Sequence, residues 1–418
     1  MKQRIFGWIS ILIGIVMAVG LIEVTAIVWL YFEDDWNYTS AEELFERTQN
    51  TYVRDMTRNT DCRYVDTLFP HPYVGFVHHA NPPCGKSWVN NVGLFGADFP
   101  TEKRTDRYTI LVVGGSVASQ LVQELEPPAQ HYLEEELNKR YVSPTGKPFL
   151  VLNGGDGAWK EPQPFILFSL YAGSVDGVVS LGGFNEQYFF SPYTKERLER
   201  PLTNFVDVNP FVADENFGDA AIGWVIGRVA GTLTRLPLLG HSHAAYMIIR
   251  GIEAVAKSKD TASSTKKTTL NGLFSLPADV PRDAEKVFQI QLSLYEKYER
   301  GIEAIARDNG VKSAYFLQPI PAYDKELTDD EKRTADFDLR DRYRRIVDNM
   351  LTLRERGMAM FDLGDLYKNE KGTIYADRIH PARGPAYQGA KSRGYSLMAE
   401  RIAADLAKSW GFKEKPAN

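Results

Sequence analysis

Four short segments carry residue types that together could perform acyl chemistry. Val113-Gly114-Gly115-Ser116-Val117-Ala118 sets a serine after two glycines. At a strand-to-helix turn such a serine projects its hydroxyl into a crevice while nearby backbone amides point at a developing oxyanion. Asn153-Gly154-Gly155-Asp156-Gly157-Ala158-Trp159 is a glycine-rich turn that can bring another amide to the same oxygen, and Leu181-Gly182-Gly183-Phe184-Asn185-Glu186 offers the side-chain amide of Asn185. Asp377-Arg378-Ile379-His380-Pro381 puts a carboxylate and an imidazole three residues apart, close enough for a tight turn to fold one onto the other. There the carboxylate would hold the imidazole tautomer that accepts a serine proton, with His380 as general base and then general acid.

Taken singly, each segment has a plainer reading. Gly-Gly-Ser turns serve phosphate binding or structure alone, Asn185 could cap the segment after it, Asp377 could cap a turn, and His380 could be a satisfied surface residue. Their joint occurrence in this order is what calls for chemistry.

The elements that would position them follow from the apolar pattern. Runs at 108–113, 149–152, 176–181, 311–317 and 358–361 read as buried strands, and helical stretches fall at 129–140, 162–171, 283–308, 339–356 and 394–410. Short continuous apolar strands separated by longer helices indicate a parallel sheet covered on both faces, a three-layer α/β/α sandwich. Ligands in such sheets sit outside the carboxyl ends of the strands, where the four segments lie. The interval 191–280 interrupts this rhythm with amphipathic stretches near 219–236 and 244–257 and a polar tract at 257–269. A helical pair packed on the core is its default reading, with a lid or a bilayer-docked surface as the other options.

The four segments together resemble the SGNH hydrolases, also called GDSL-like esterases, over roughly residues 108–410 with 191–280 unmatched. The resemblance implies an SGNH/flavodoxin-like fold and an ester-cleaving activity without a cofactor or metal. It assigns Ser116 as nucleophile, Asp377 and His380 as the remaining triad, and the Ser116 amide and Asn185 as oxyanion donors. The family's glycine donor falls at Ala158, which leaves Gly157 or Ala158 as the third. Gly115 stands where the family has an aspartate, and Glu186 follows Asn185 where the family has another. Similar proteins remove or move acetyl groups on cell-surface glycans, so the implied substrate is an acyl ester, O-acetyl on a glycan. A glycan O-acyltransferase with the same triad, or a non-catalytic envelope scaffold, is the alternative.

Residues 5–32 are almost wholly apolar, and as a helix would extend roughly 40 Å, enough to cross a bilayer. The segment ends in bulky residues rather than small ones, which predicts an uncleaved anchor. Lys2 and Arg4 precede it and Glu33, Asp34 and Asp35 follow. That asymmetry predicts a cytoplasmic N-terminus and an extracytoplasmic body, in a bacterial inner membrane facing the periplasm. The expected organisation is a tip and anchor over 1–32, a stalk and lead-in over 33–105, and a catalytic domain over 106–418 with its insertion. Glu23 inside the span either reaches the headgroups, stays protonated, or meets a membrane-protein partner.

The formal net charge of −5, with no basic stripe, argues against nucleic acid. Cys62 and Cys84, the only cysteines, suit a disulfide on the extracytoplasmic side or two thiols. They lack the spacing of a zinc pair, and His71, His78 and His79 read as solvated loop residues.

Overall fold

A computed structural model of the chain describes residues 2–33, 36–41, 44, 68–78, 89–122, 131–188, 241–248, 250–251, 283–323, 325–382 and 391–416. They fall in two compact units, one drawn from residues 1–66 and 209–270, the other from 67–208 and 271–418. Cys62, Cys84, His79 and the polar tract 257–269 lie outside the described residues.

In the first unit, helix α1 (Lys2–Glu33) is long and apolar enough to cross a membrane. Thr25 returns its hydroxyl to the Leu21 carbonyl at 2.8 Å, so the hydroxyl is satisfied within the helix. Helical residues 243–248 and 250–251 pack on α1: Tyr246 joins Leu30 and Leu44 in one apolar cluster. This part of the interval 191–280 therefore makes its apolar contact with the N-terminal helix, where packing on the α/β core was expected.

The second unit opens with an antiparallel hairpin, β1 (Leu68–His71) and β2 (Gly75–His78), inside the expected lead-in. Its main sheet has five strands: β3 (Tyr108–Gly114), β5 (Phe149–Gly155), β6 (Gly177–Gly182), β7 (Lys312–Leu317) and β8 (Met360–Asp362). Every pairing among them is parallel, in the order β5-β3-β6-β7-β8. β3 is buried at every position, as expected of a strand covered on both faces. A short pair, β4 (Tyr141–Val142) with β9 (Lys413–Glu414), ties the C-terminus to the body.

Helices cover both faces. Helices α2 (Ser116–Val122), α3 (Tyr132–Arg140) and α8 (Arg393–Trp410) pack together on one face. On the other lie α4 (Gln163–Tyr171), α5 (Ala284–Asp308) and α7 (Leu339–Leu351). The fold is thus α/β, with helix boundaries set by ordinary caps. Asp283 accepts the Lys286 amide at the start of α5, and Ser392 that of Tyr395 at the start of α8. The short α6 (Asp329–Thr334) carries a full capping box between Thr328 and Glu331.

In order of appearance along the chain, the five strands stand second, first, third, fourth and fifth across the sheet. The order therefore reverses between β3 and β6, and the crevice at that switch point is where a ligand is expected. Ser116 follows β3 and Asn185 follows β6, one on each side of it.

β3 and β6 approach so closely at their carboxyl ends that only glycine fits. A Cβ on Gly114, which has φ +152°, would lie 2.1 Å from the Leu181 carbonyl oxygen. Gly146, at φ +72° with nothing within 4 Å, isolates the backbone cost alone. Gly146→Ala should cost about 1–2 kcal/mol in urea denaturation of the detergent-solubilised chain. Gly114→Ala should cost at least about 2 kcal/mol more, because the strands must separate; equal costs would show that the close approach is not constraining.

Candidate active site

Ser116 Oγ lies 2.7 Å from His380 Nε2, and His380 Nδ1 lies 2.8 Å from Asp377 Oδ2. A chain of hydrogen bonds thus joins residues separated by 264 positions in sequence. Asp377 also accepts the amides of Ile379 (2.9 Å) and His380 (2.8 Å) on Oδ1, so the carboxylate closes its own turn and fixes the ring. A carboxylate only accepts, which assigns the hydrogen to Nδ1 and leaves the Nε2 lone pair facing the serine hydroxyl. Burial pushes the Asp377 carboxyl up, but its electrostatic interaction with the neighbouring His380 ring and these hydrogen bonds outweigh it, and the net shift is downward. Asp377 therefore stays ionised below the ordinary carboxylate range.

The loop bearing Asp377 and His380 is braced from below. Tyr375 bridges Pro381, and the Ala376 amide donates to the His380 carbonyl at 2.9 Å. Glu331 Oε1 accepts the amides of Ile374 (2.9 Å) and Tyr375 (3.1 Å), while its Oε2 accepts from Lys325 Nζ and the Thr328 amide, both at 2.8 Å. Both side chains of the Lys325–Glu331 pair are buried, at 1% and 0% exposure. Burial raises the Glu331 carboxyl and these donors pull it below its usual range, so a satisfied ion pair underlies the loop of Asp377 and His380.

The expected oxyanion donors sort themselves by their partners. The Asn185 amide nitrogen donates to the Trp159 carbonyl at 2.8 Å, which orients the group and leaves its second hydrogen for another acceptor. A Cβ on Gly115 would lie 2.4 Å from that nitrogen and 3.0 Å from the Trp159 carbonyl oxygen. Asn185 thus occupies the space that any side chain at 115 would need, one residue from Ser116. The Gly157 amide donates to Asp156 Oδ1 at 2.6 Å and is already engaged. The Ala158 amide has no acceptor among the described residues, and Ala158 has φ 61°, a left-handed conformation that favours glycine. The position retains the backbone of a glycine without the residue.

Trp159 is buried in the core, with its ring edge-on to Phe76 at 6.2 Å; the side chains of Tyr188, Phe189 and Phe190 lie outside the described residues.

The histidine expectation also needs correction. His78 is buried in β2, with Nε2 3.1 Å from Asp156 Oδ1 and no side-chain exposure on either residue. The hairpin thereby anchors the turn that presents Ala158. His71 Nδ1 accepts the amides of Tyr73 and Val74 at 3.3 Å, and burial pushes its pKa down. Among the described residues no group of three or more His, Cys, Asp or Glu is arranged to hold a metal ion.

Sequence reasoning missed a cluster of buried carboxyls under the two donor loops. Glu186 Oε2 accepts the Gly183 amide at 2.7 Å, and its Oε1 faces the Glu161 amide at 3.4 Å, so one side chain ties both loops. Glu299, from α5, accepts the Ser180 hydroxyl at 2.7 Å. Burial raises the pKa of all three, with mutual repulsion adding to it for Glu161 and Glu299, and backbone amides, that of Gly183 first, pulling Glu186 back. The only advance signal was Glu186 beside Asn185; Glu299 sits on an amphipathic helix at a position indistinguishable from a surface charge.

No family model matches the chain, and no curated protein matches its sequence. The site therefore rests on its geometry: a hydroxyl, an imidazole and a carboxylate in series, beside an oriented amide and an unengaged backbone N–H. That arrangement can generate a nucleophile and stabilise an oxyanion.

Two measurements probe it. Ala158→Gly should relieve left-handed strain of about 1–2 kcal/mol, offset in part by the freer unfolded chain, for a net gain of about 0.5–1 kcal/mol in urea denaturation with the triad unaffected. A loss of stability would contradict the strained backbone. Glu299, raised to about 8, favours folding when protonated, so its contribution is full at low pH and lost as pH rises from the usual carboxylate range through about 8. Stability of the wild type should fall more steeply between pH 5 and 8 than that of Glu299→Gln; parallel slopes would remove Glu299 from the linkage.

Proposed function

We propose that the protein is an SGNH-like, membrane-anchored serine esterase that cleaves acyl esters outside the cytoplasm, O-acetyl groups of a cell-surface glycan being the substrate class. The single observation that carries this reading is the Ser116–His380–Asp377 chain at 2.7 and 2.8 Å. Its position at the switch point of the parallel sheet, with Asn185 across the crevice, supports it.

Ser116 Oγ attacks the ester carbonyl carbon as its proton passes to His380 Nε2, and Asp377 stabilises the imidazolium that forms. The carbonyl oxygen becomes an oxyanion, with the Ser116 amide, the Ala158 amide and the second hydrogen of Asn185 as donors. The C–O bond to the alcohol breaks as His380 returns the proton to the departing oxygen, leaving an acyl-Ser116 ester. Water then attacks this ester, with His380 taking its proton and giving it back to Ser116. Anchoring through α1, with the body on the outer side, supplies the access to a surface polymer that this reading requires.

The detergent-solubilised full chain should react covalently with a fluorophosphonate probe and hydrolyse a p-nitrophenyl acetate substrate. Ser116→Ala should abolish labelling and lower kcat by about 10⁴-fold or more. An unlabelled wild type, or full hydrolysis by Ser116→Ala, would overturn the assignment.

A further inference from the structure

We infer that the outer hydrocarbon boundary of the membrane lies at Glu23, and that the helix beyond it forms, with residues 36–41, 44, 241–248 and 250–251, a collar seated in the phospholipid headgroup layer. The inference rests on α1 being a membrane span and is independent of any chemistry at Ser116.

Helix α1 has two kinds of surface. Residues 7–22 are exposed without exception. From Glu23 onward one stripe is covered: Glu23, Ala26, Ile27, Leu30 and Tyr31 are buried or half-buried. These positions follow the i, i+3, i+4, i+7, i+8 spacing of a single helix face. Leu44, Tyr246 and Met247 pack there around Leu30.

The change occurs at a carboxylate. Glu23 accepts the Ser242 hydroxyl (2.6 Å), the His243 amide (2.6 Å) and the Ala244 amide (3.1 Å), and its Oε1 lies 3.1 Å from His243 Nδ1. It thus does for the turn beginning at 243 what an N-cap side chain does, from another helix. The other imidazole nitrogen, Nε2, faces the Thr39 carbonyl at 3.0 Å. About 15 Å further along α1, Glu33 takes both guanidinium nitrogens of Arg250, at 2.6 and 2.9 Å, with both side chains exposed. Such an assembly of charged groups and backbone amides is costly in hydrocarbon. At a headgroup boundary it is cheap.

Length gives the same boundary. Residues 5–22 extend about 27 Å, close to a hydrocarbon core of about 30 Å, whereas residues 5–32 would also cross a headgroup layer. The outer surface of the collar exposes Trp29 at 61%, Trp36 at 65% and Tyr38 at 65%, together with Val28 and Ile248. Tryptophan and tyrosine concentrate where one end of a ring meets lipid and the other water. This apolar surface continues directly from the bare span, so the occupant is the phospholipid headgroup and upper acyl region. Of the options the sequence left for Glu23, its intrachain partners accord with a position at the headgroups.

The test places nitroxide labels at Ile15, Val28 and Ile248 of the full chain in phosphatidylethanolamine–phosphatidylglycerol vesicles, through an incorporated non-natural amino acid that leaves Cys62 and Cys84 intact. Oxygen and a water-soluble nickel chelate then report depth. The label at 15 should lie near the bilayer centre, and those at 28 and 248 together near the phosphate level. Labels at 28 and 248 as deep as 15 would mean a re-entrant segment inside the hydrocarbon and overturn the boundary; labels free of lipid would overturn the docking. Glu23→Leu should speed hydrogen exchange of residues 241–248 by about tenfold or more without changing β3 and β6, and unchanged exchange would remove the carboxylate latch. Loss of probe labelling at Ser116 affects none of these readouts, so the two readings fail separately.

Discussion

The close parallel pairing of β3 with β6 is the constraint on which the site depends. A side chain at Gly114 would strike the Leu181 carbonyl at 2.1 Å, so the strands approach to backbone distance where the sheet order reverses. That approach sets Ser116 beside the loop carrying Asn185. Glycine at 115 is the second half of the same constraint, since the Asn185 amide fills the volume a side chain would take. The geometry of the site is a property of backbone packing first and of side chains second.

Around that pairing the polar groups are satisfied in layers. Asp377 spends one oxygen on the amides of its own turn and the other on the imidazole, so turn geometry and ring orientation are one structure. Glu331 performs the corresponding task one level down, taking two amides of the strand-like segment before the turn and pairing with buried Lys325. Glu186 links the two donor loops, and Asp156 is held against the His78 of a hairpin distant in sequence. A buried carboxylate that loses its donors keeps its full desolvation cost. These loops are therefore rigid for an electrostatic reason as well as an apolar one.

The unit that carries α1 uses the same principle differently. Residues 7–22 of α1 are exposed, while the stripe from Glu23 onward is covered by residues held through that carboxylate. An ionisable group in an apolar run marks the point where the exposed helix gives way to protein contact.

The five strands were legible because strands buried on both faces are continuous apolar runs, and the triad because Asp-x-x-His can close locally and its partner serine follows two glycines. The hairpin at 68–78 was not, since Leu-Phe-Pro-His and Gly-Phe-Val-His are too short to show a period. The choice between Gly157 and Ala158 could not be made from composition: glycine is the expected donor, yet its amide is taken by Asp156, and the left-handed turn falls on the alanine. Nor could the sequence place Glu299 beneath the site, 119 residues from the serine it accepts. Local pattern determined which segments are strands, which turns present the serine, aspartate and histidine, and where the apolar helix runs. Only the tertiary structure decided which amide is open, which carboxyls are buried together and what Glu23 meets, because those depend on groups far apart in sequence competing for the same hydrogen bonds.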